Sequence, residues 1–183
     1  PNGLQIEGKA EVKKILCAVT ASQSAIEAAI AQQADLLLVH HGYFWKGEAY
    51  PITGMRGKRI KTLIQNDISL VGYHLPLDAH PTLGNNAAIA DLLELQNIEA
   101  LDPSERHPIG NIGYLKQPVS AEVFKALLTE KLGFETIHLA AGKTKIQKVG
   151  FCTGGAQDFI EKAAAQDCDA YISGEVSERT FYQ

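Results

Sequence analysis

The chain has 183 residues, 45% of them hydrophobic and 21% charged, enough apolar side chain to build one domain or two small ones. Seventeen Lys and Arg against 21 Asp and Glu leave a net charge of −4, which lacks the basic field that nucleic acid or an anionic membrane requires. No apolar run approaches the roughly 20 residues of a membrane span.

The chain opens Pro1-Asn2-Gly3 and stops at Phe181-Tyr182-Gln183 in mid-pattern, and reads as part of a longer protein. A strand is predicted over 14–19, followed by Thr20-Ala21-Ser22 as turn and helix cap. Residues 23–33 set Ile26, Ala29 and Ile30 on one helical face. Residues 35–39 are a continuous apolar run, as in a strand covered on both faces. A helix over 58–66, a strand over 68–73 and a helix over 86–95 follow. Residues 103–111 look like a linker, after which come a strand (112–116), a helix (120–132) and a strand near 136–140. This rhythm predicts an α/β fold with a mainly parallel sheet. Cys17, Cys152 and Cys168, odd in number and without a CxxC pair, read as buried small hydrophobes of a reducing, cytoplasmic compartment.

The opening pattern then returns. Residues 14–41 align with 148–175 at a constant offset of 134, with eight identities in 28 positions, among them Ile26/Ile160, Ala29/Ala163 and Asp35/Asp169. The repeat predicts two similar α/β units from an internal duplication: 1–102 as the first, 103–145 as a linker with a small inserted α+β segment, and 146–183 as the start of the second. His41 maps onto Glu175, so both units place a polar group at the carboxyl end of the same strand, where open α/β sheets bind ligands. The counterparts of His74 and Asp78 would fall at 208 and 212, past the last residue given, and are expected as a second polar pair with the same spacing.

Val39-His40-His41-Gly42 and His74-Leu75-Pro76-Leu77-Asp78 each follow a hydrophobic strand and so share one rim of the sheet. Adjacent residues of a regular strand point to opposite faces. Convergence of His40 and His41 therefore predicts that the strand has ended, with Gly42 supplying backbone freedom. Two imidazoles and a carboxylate at neighbouring strand ends make a site for first-row divalent ions, with two ions fitting divergent histidines better than one. His40, His41 and Asp78 are the expected metal ligands, and His74 is the expected catalytic residue, orienting water or substrate. The alternative is that the histidines merely cap strand ends.

Other groups carry weaker signals. His80 reads as a loop residue, and His107 and His138 receive no role. Tyr43-Phe44-Trp45-Lys46-Gly47-Glu48 suits either a wall that stacks a planar substrate or an aromatic lid on the core. Arg56, Lys58, Arg59 and Lys61 suit a phosphate or a solvated helix face. Thr153-Gly154-Gly155 opens a helix, and Glu175 and Glu178 offer acid–base chemistry or a strand cap.

Asn2-Gly3-Leu4-Gln5, Val39-His40-His41-Gly42, His74-Leu75-Pro76-Leu77-Asp78, Gly84-Asn85-Asn86 and Thr153-Gly154-Gly155 together resemble the GTP cyclohydrolase I type 2 homolog family, also called NIF-three-like or YbgI-like, over essentially the whole chain. The resemblance implies a duplicated α/β fold, a homo-hexameric ring, and a dinuclear metal centre on His40, His41 and Asp78 completed by a C-terminal His-x-x-x-Glu pair. The expectation is a hydrolase that uses two divalent ions (Zn, Mn, Fe, Co or Ni) on a small molecule such as a nucleotide or related heterocycle. The alternative is a ring-shaped metal-binding scaffold or regulatory partner without turnover.

Overall fold

Strands β1 (Gly3–Ile6), β2 (Ile15–Thr20), β3 (Leu36–His41) and β4 (Ser69–Gly72) form a sheet in the order β1-β4-β3-β2. β2, β3 and β4 run parallel, and β1 closes the far edge antiparallel to β4. Helices α1 (Gln23–Ala31) and α2 (Gly54–Gln65) make the two crossovers. Both step in the same direction across the sheet, so right-handed connection lays both on one face. The computed structural model describes residues 2–49, 51–140 and 142–183, and it divides into two compact units, Pro1–Leu77 and Asp78–Gln183.

The first unit folds as its periodicity dictates. The Ser22 hydroxyl accepts the Ala25 N–H at 3.2 Å and caps α1. Ile26 and Ala29, one helical turn apart, are fully buried with Leu37, Leu63 and Leu70, each aliphatic side chain of leucine size contributing about 1.5–3 kcal/mol. α2 begins at Gly54, four residues before the start expected at residue 58. β1 was not foreseen: it is four residues long, starts on a glycine at φ 98° and leaves Leu4 exposed, so it carries no apolar run. Cys17 is exposed on edge strand β2, contrary to the buried role expected of all three cysteines, while Cys152 is buried and Cys168 half-buried.

A four-residue helix, α3 (Leu75–Asp78), precedes α4 (Asn85–Leu92), β5 (Gln96–Ala100), β6 (Asn111–Ser120), α5 (Ala121–Leu132), β7 (Lys145–Cys152), a 3-10 turn (Gln157–Phe159), α6 (Ile160–Ala165), β8 (Ala170–Ser173) and α7 (Glu178–Tyr182). The second sheet runs β5-β6-β7-β8. Here parallel pairing is confined to β7 and β8, because β6, from the segment read as an insert, lies antiparallel to both β5 and β7. The mainly parallel sheet is thus a property of the first unit. The strand expected near 136–140 is absent: both edges of β7 are taken by β6 and β8, and Ile137 is left 77% exposed. α5 stops instead at Gly133, whose φ of 76° closes it with an N–H bond to Thr129 O at 3.0 Å.

Two β–α–β modules, β2-α1-β3 and β7-α6-β8, share several features at the 134-residue offset. Ile15 pairs Leu36 as Val149 pairs Ala170. Gln33 and Asp167 both turn at φ near 55°. Asp35 Oδ2 accepts the N–H groups of Lys13 and Lys14 at 3.0 Å, and Asp169 Oδ2 accepts those of Gln147 and Lys148 at 3.0 and 2.9 Å. Each aspartate, just before one strand, ties that strand to the backbone of its parallel neighbour.

The Lys9 ammonium at 3.0 Å, and then the two backbone donors, hold the Asp35 carboxyl down at about 2. A depressed native value means this carboxylate stabilises the fold above its unfolded pKa of about 3.9, and the contribution drains away as pH falls from there toward about 2. Asp35→Asn therefore lowers the melting temperature at pH 7, and thermal melts at stepped pH show the gap to wild type closing between about pH 4 and 2. A gap that stays constant down to pH 2 would place the stabilisation elsewhere.

Candidate metal centre

β3 outruns β4. The last rung between them is Val39 with Gly72, whereas β3 continues to His41, which pairs with Thr20 of β2. The end of β3 is laddered on one side, and its two histidines meet His74, which follows β4. His40 and His41 ring centroids lie 4.7 Å apart, His40 and His74 4.6 Å, and His41 and His74 5.3 Å. One ligand nitrogen from each of the three falls within 4.8 Å of the others. Convergence thus occurs with the strand intact through His41, and not after its end.

Gly42 is also needed for a different reason from the one expected. Its φ is negative, and a Cβ there would sit 2.1 Å from Gln5 Oε1. Gln5 marks the irregular point in the β1–β4 ladder, and its Oε1 accepts the Tyr43 N–H at 2.8 Å. Gly72 leaves room for the other side of the same amide, whose Nε2 would lie 3.0 Å from a Cβ. Asn2 Oδ1 accepts the His74 N–H at 2.8 Å. The N-terminal Asn2-Gly3-Leu4-Gln5 stretch is therefore a brace for the turns after β3 and β4, a role sequence reasoning did not assign. Its signal was the bare pair Gly42 and Gly72, which need a close neighbour to explain them.

Hydrogen bonds set the imidazoles chemically. His40 Nδ1 lies 2.9 Å from the Tyr73 carbonyl, which can only accept, so Nδ1 carries the proton and Nε2 the lone pair. His41 Nδ1 lies 3.0 Å from Thr20 Oγ1. A fixed outer nitrogen is the usual support of a metal-ligating histidine. A single tetrahedral ion with bonds of about 2.0 Å sets its ligands about 3.3 Å apart. The 4.8 Å spread therefore fits one ion after small rotations, or two ions sharing the cluster. Three neutral imidazoles suit Zn, Fe, Co or Ni, and Mn once carboxylate is added.

Asp78, at the end of α3, is 7% exposed and belongs to the second unit. Burial chiefly, and the Asp78 charge in addition, push the Cys152 thiol up. Asn86 binds Thr153 N at 2.9 Å and the Ile109 carbonyl, so the Gly84-Asn85-Asn86 stretch ties α4 to the end of β7. Thr153-Gly154-Gly155 turns with Gly154 at φ 74°, and Gly154 O accepts Gly174 N at 3.0 Å. Glu175 and Glu178 are exposed, as are His107 and His138. His80 caps its own turn, Nδ1 accepting the Leu83 N–H at 3.1 Å. The basic cluster does not converge: Arg56 pairs with Glu48, and Lys58 and Lys61 face solvent.

Parallel strands with three imidazoles at their carboxyl ends define an α/β protein with a candidate transition-metal centre. The chain belongs to the Duf34/NIF3 (NGG1p interacting factor 3) family, whose profile matches residues 1–183. It is 53% identical over 184 residues to the GTP cyclohydrolase 1 type 2 homolog of Haemophilus influenzae, covering 100% of this chain and 72% of that one. Protein ybgI, described as of unknown function, superposes with a TM-score of 0.91 at 46% identity, over 100% of this chain and 72% of that chain. TTHA1606 from Thermus thermophilus superposes at 0.83 with 32% identity, over 100% and 71%. No helix among the described residues is long and apolar enough to cross a membrane.

Gly42→Ala drives its new methyl into the Gln5 amide and breaks the bond to the Tyr43 N–H. Loss of this half-buried hydrogen bond costs about 1–2 kcal/mol. Adding Gln5→Ser, which removes the colliding atoms, makes the double variant less destabilised than the sum of the singles in denaturant titrations. Strict additivity would show that Gly42 is not there for Gln5.

Proposed function

We propose that His40, His41 and His74 form the core of a divalent-metal centre and that the protein is a metal-dependent hydrolase acting on a nucleotide or related heterocycle. The observation that carries this reading is the convergence of three imidazoles, two of them with Nδ1 already engaged, at the carboxyl ends of parallel strands. Two ions of the Zn, Mn, Fe, Co or Ni type are proposed, with Asp78, four residues after His74 in the chain, as the carboxylate that the family resemblance supplies. The same resemblance supports a homo-hexamer and further ligands from outside residues 1–183. The nucleotide class is supported by the name of relatives about 50% identical, GTP cyclohydrolase 1 type 2 homolog.

Divalent ions in such a site supply Lewis acidity and water activation near neutral pH. The chain's own residues do the rest. The Tyr73 carbonyl keeps the proton on His40 Nδ1, so Nε2 meets a ligand without first losing a proton. Thr20 Oγ1 restrains the orientation of the second ring through its Nδ1, as either donor or acceptor. His74 stands edge-on to both, which supports a role in orienting water or substrate beside the ions. An acidic surface is compatible with an anionic substrate, because the ions provide the local positive charge.

Elemental analysis of the full-length protein is expected to find about two divalent ions per subunit after reconstitution with Mn or Zn, fewer in Asp78→Asn, and fewest in His41→Ala. Loaded wild type then releases product from GTP or another purine nucleotide, and Asp78→Asn loses roughly 100-fold or more in kcat. Absence of metal in the reconstituted wild type would overturn the centre. Full metal content with no hydrolysis across nucleotides would replace the hydrolase by the scaffold.

A further inference from the structure

Trp45 stands edge-on to His74, with ring centroids 4.8 Å apart at 72°. The indole is not loosely placed. Its Nε1–H donates to the Gly42 carbonyl at 3.0 Å. The preceding residue, Phe44, has φ 66°, a left-handed conformation that is strained for a bulky residue and persists only where its surroundings enforce it. What enforces it is Glu48. Glu48 Oε2 accepts the Phe44 N–H at 2.8 Å and the same oxygen pairs with the Arg56 guanidinium at the start of α2. Arg56 also donates to the carbonyls of Ala49 and, at 3.1 Å, Pro51. Its side chain is 18% exposed and that of Glu48 28%, so the pair is better shielded than a surface ion pair.

We propose that the Arg56–Glu48 pair is a positioning clasp for the metal centre: it holds the loop that presses Trp45 against His74 and so fixes where the His74 imidazole stands relative to His40 and His41. The inference rests on the metal reading above. It makes Arg56 and Glu48 positioning residues that act through Trp45, and it accounts for an arginine of the basic cluster that faces a carboxylate and not a ligand.

The test uses the full-length protein and Co2+ alone, read by its visible d–d absorption and by titration calorimetry. Arg56→Met, and the milder Glu48→Gln, are expected to weaken Co2+ binding about tenfold and to alter the d–d band. Trp45→Ala does the same, and Trp45→Phe, which keeps a ring against His74, retains most of the affinity. Arg56→Met combined with Trp45→Ala is no weaker than Trp45→Ala alone, because both act through one contact. In the metal-free protein, acrylamide quenching of the Trp45 emission, isolated by subtracting Trp45→Phe, rises in Arg56→Met and Glu48→Gln. Unchanged Co2+ affinity and spectrum in a folded Glu48→Gln, or losses that add in the double variant, overturn the clasp while the metal centre stands. Wild type that takes up no Co2+ overturns the metal centre itself.

Discussion

The 2.9 Å contact between His40 Nδ1 and the Tyr73 carbonyl is the point on which the site depends. It exists because β4 ends at Gly72 while β3 runs on to His41. Beyond the last rung, every peptide group still needs a partner. Tyr73 N–H takes the Val39 carbonyl at 2.9 Å, Ala21 N–H takes the His41 carbonyl at 2.9 Å, and the Tyr73 carbonyl takes an imidazole. The mismatch in strand length thus leaves a backbone acceptor at the sheet rim, and a histidine side chain is the group that satisfies it. The same bond that completes the backbone decides the tautomer of a candidate ligand.

Much of this was legible in the chain. The apolar run of β3, the helical spacing of Ile26 and Ala29, and histidines directly after hydrophobic strands all act locally, and local patterns are what a sequence displays. His74 is expected to orient water or substrate where His40 and His41 ligate, and the three rings gather with centroids 4.6–5.3 Å apart. Spacing along the chain reports which strand end a residue occupies, and not how far its ring reaches. Gly42 shows the other limit. A glycine excluded by a side chain 37 positions away looks the same in sequence as one needed for its φ. β1 and β5 were missed because edge strands need little apolar content, and the strand expected at 136–140 was an apolar pattern with no open sheet edge of β7 to join.

The N-terminal stretch shows how a short edge strand organises distant groups. Asn2 and Gln5 each place a side-chain amide oxygen on a backbone N–H of a turn beside a histidine, at His74 and Tyr43. A hydrogen bond contributes about 0.5–1.5 kcal/mol, more where its donor is sheltered from water as at Tyr43 than where it is exposed as at His74, so these amides favour one conformation of each turn over its alternatives. Gln5 reaches its donor only because Gly42 and Gly72 lack side chains. Brace and glycines are one device, distributed over three segments of the chain.

The two β–α–β modules share register, turn conformation and aspartate tie, yet the imidazole cluster found among the described residues belongs to the first. The backbone explains why the second module does not repeat it. Where the first has His40, the second has Gly174, whose N–H bonds Gly154 O at 3.0 Å, and a Cβ at 174 would lie 2.7 Å from the Gly154 nitrogen. Backbone cannot yield as a flexible side chain does, so no histidine fits at 174 without opening that contact. In the first module the ladder runs on to the Thr20–His41 pair, with the Ala21 N–H on the His41 carbonyl at 2.9 Å and Thr20 Oγ1 3.0 Å from His41 Nδ1. The module supplies a scaffold in both places, and the close approach of backbone at Gly174 leaves the second no room for a ligand side chain at the position His40 holds in the first.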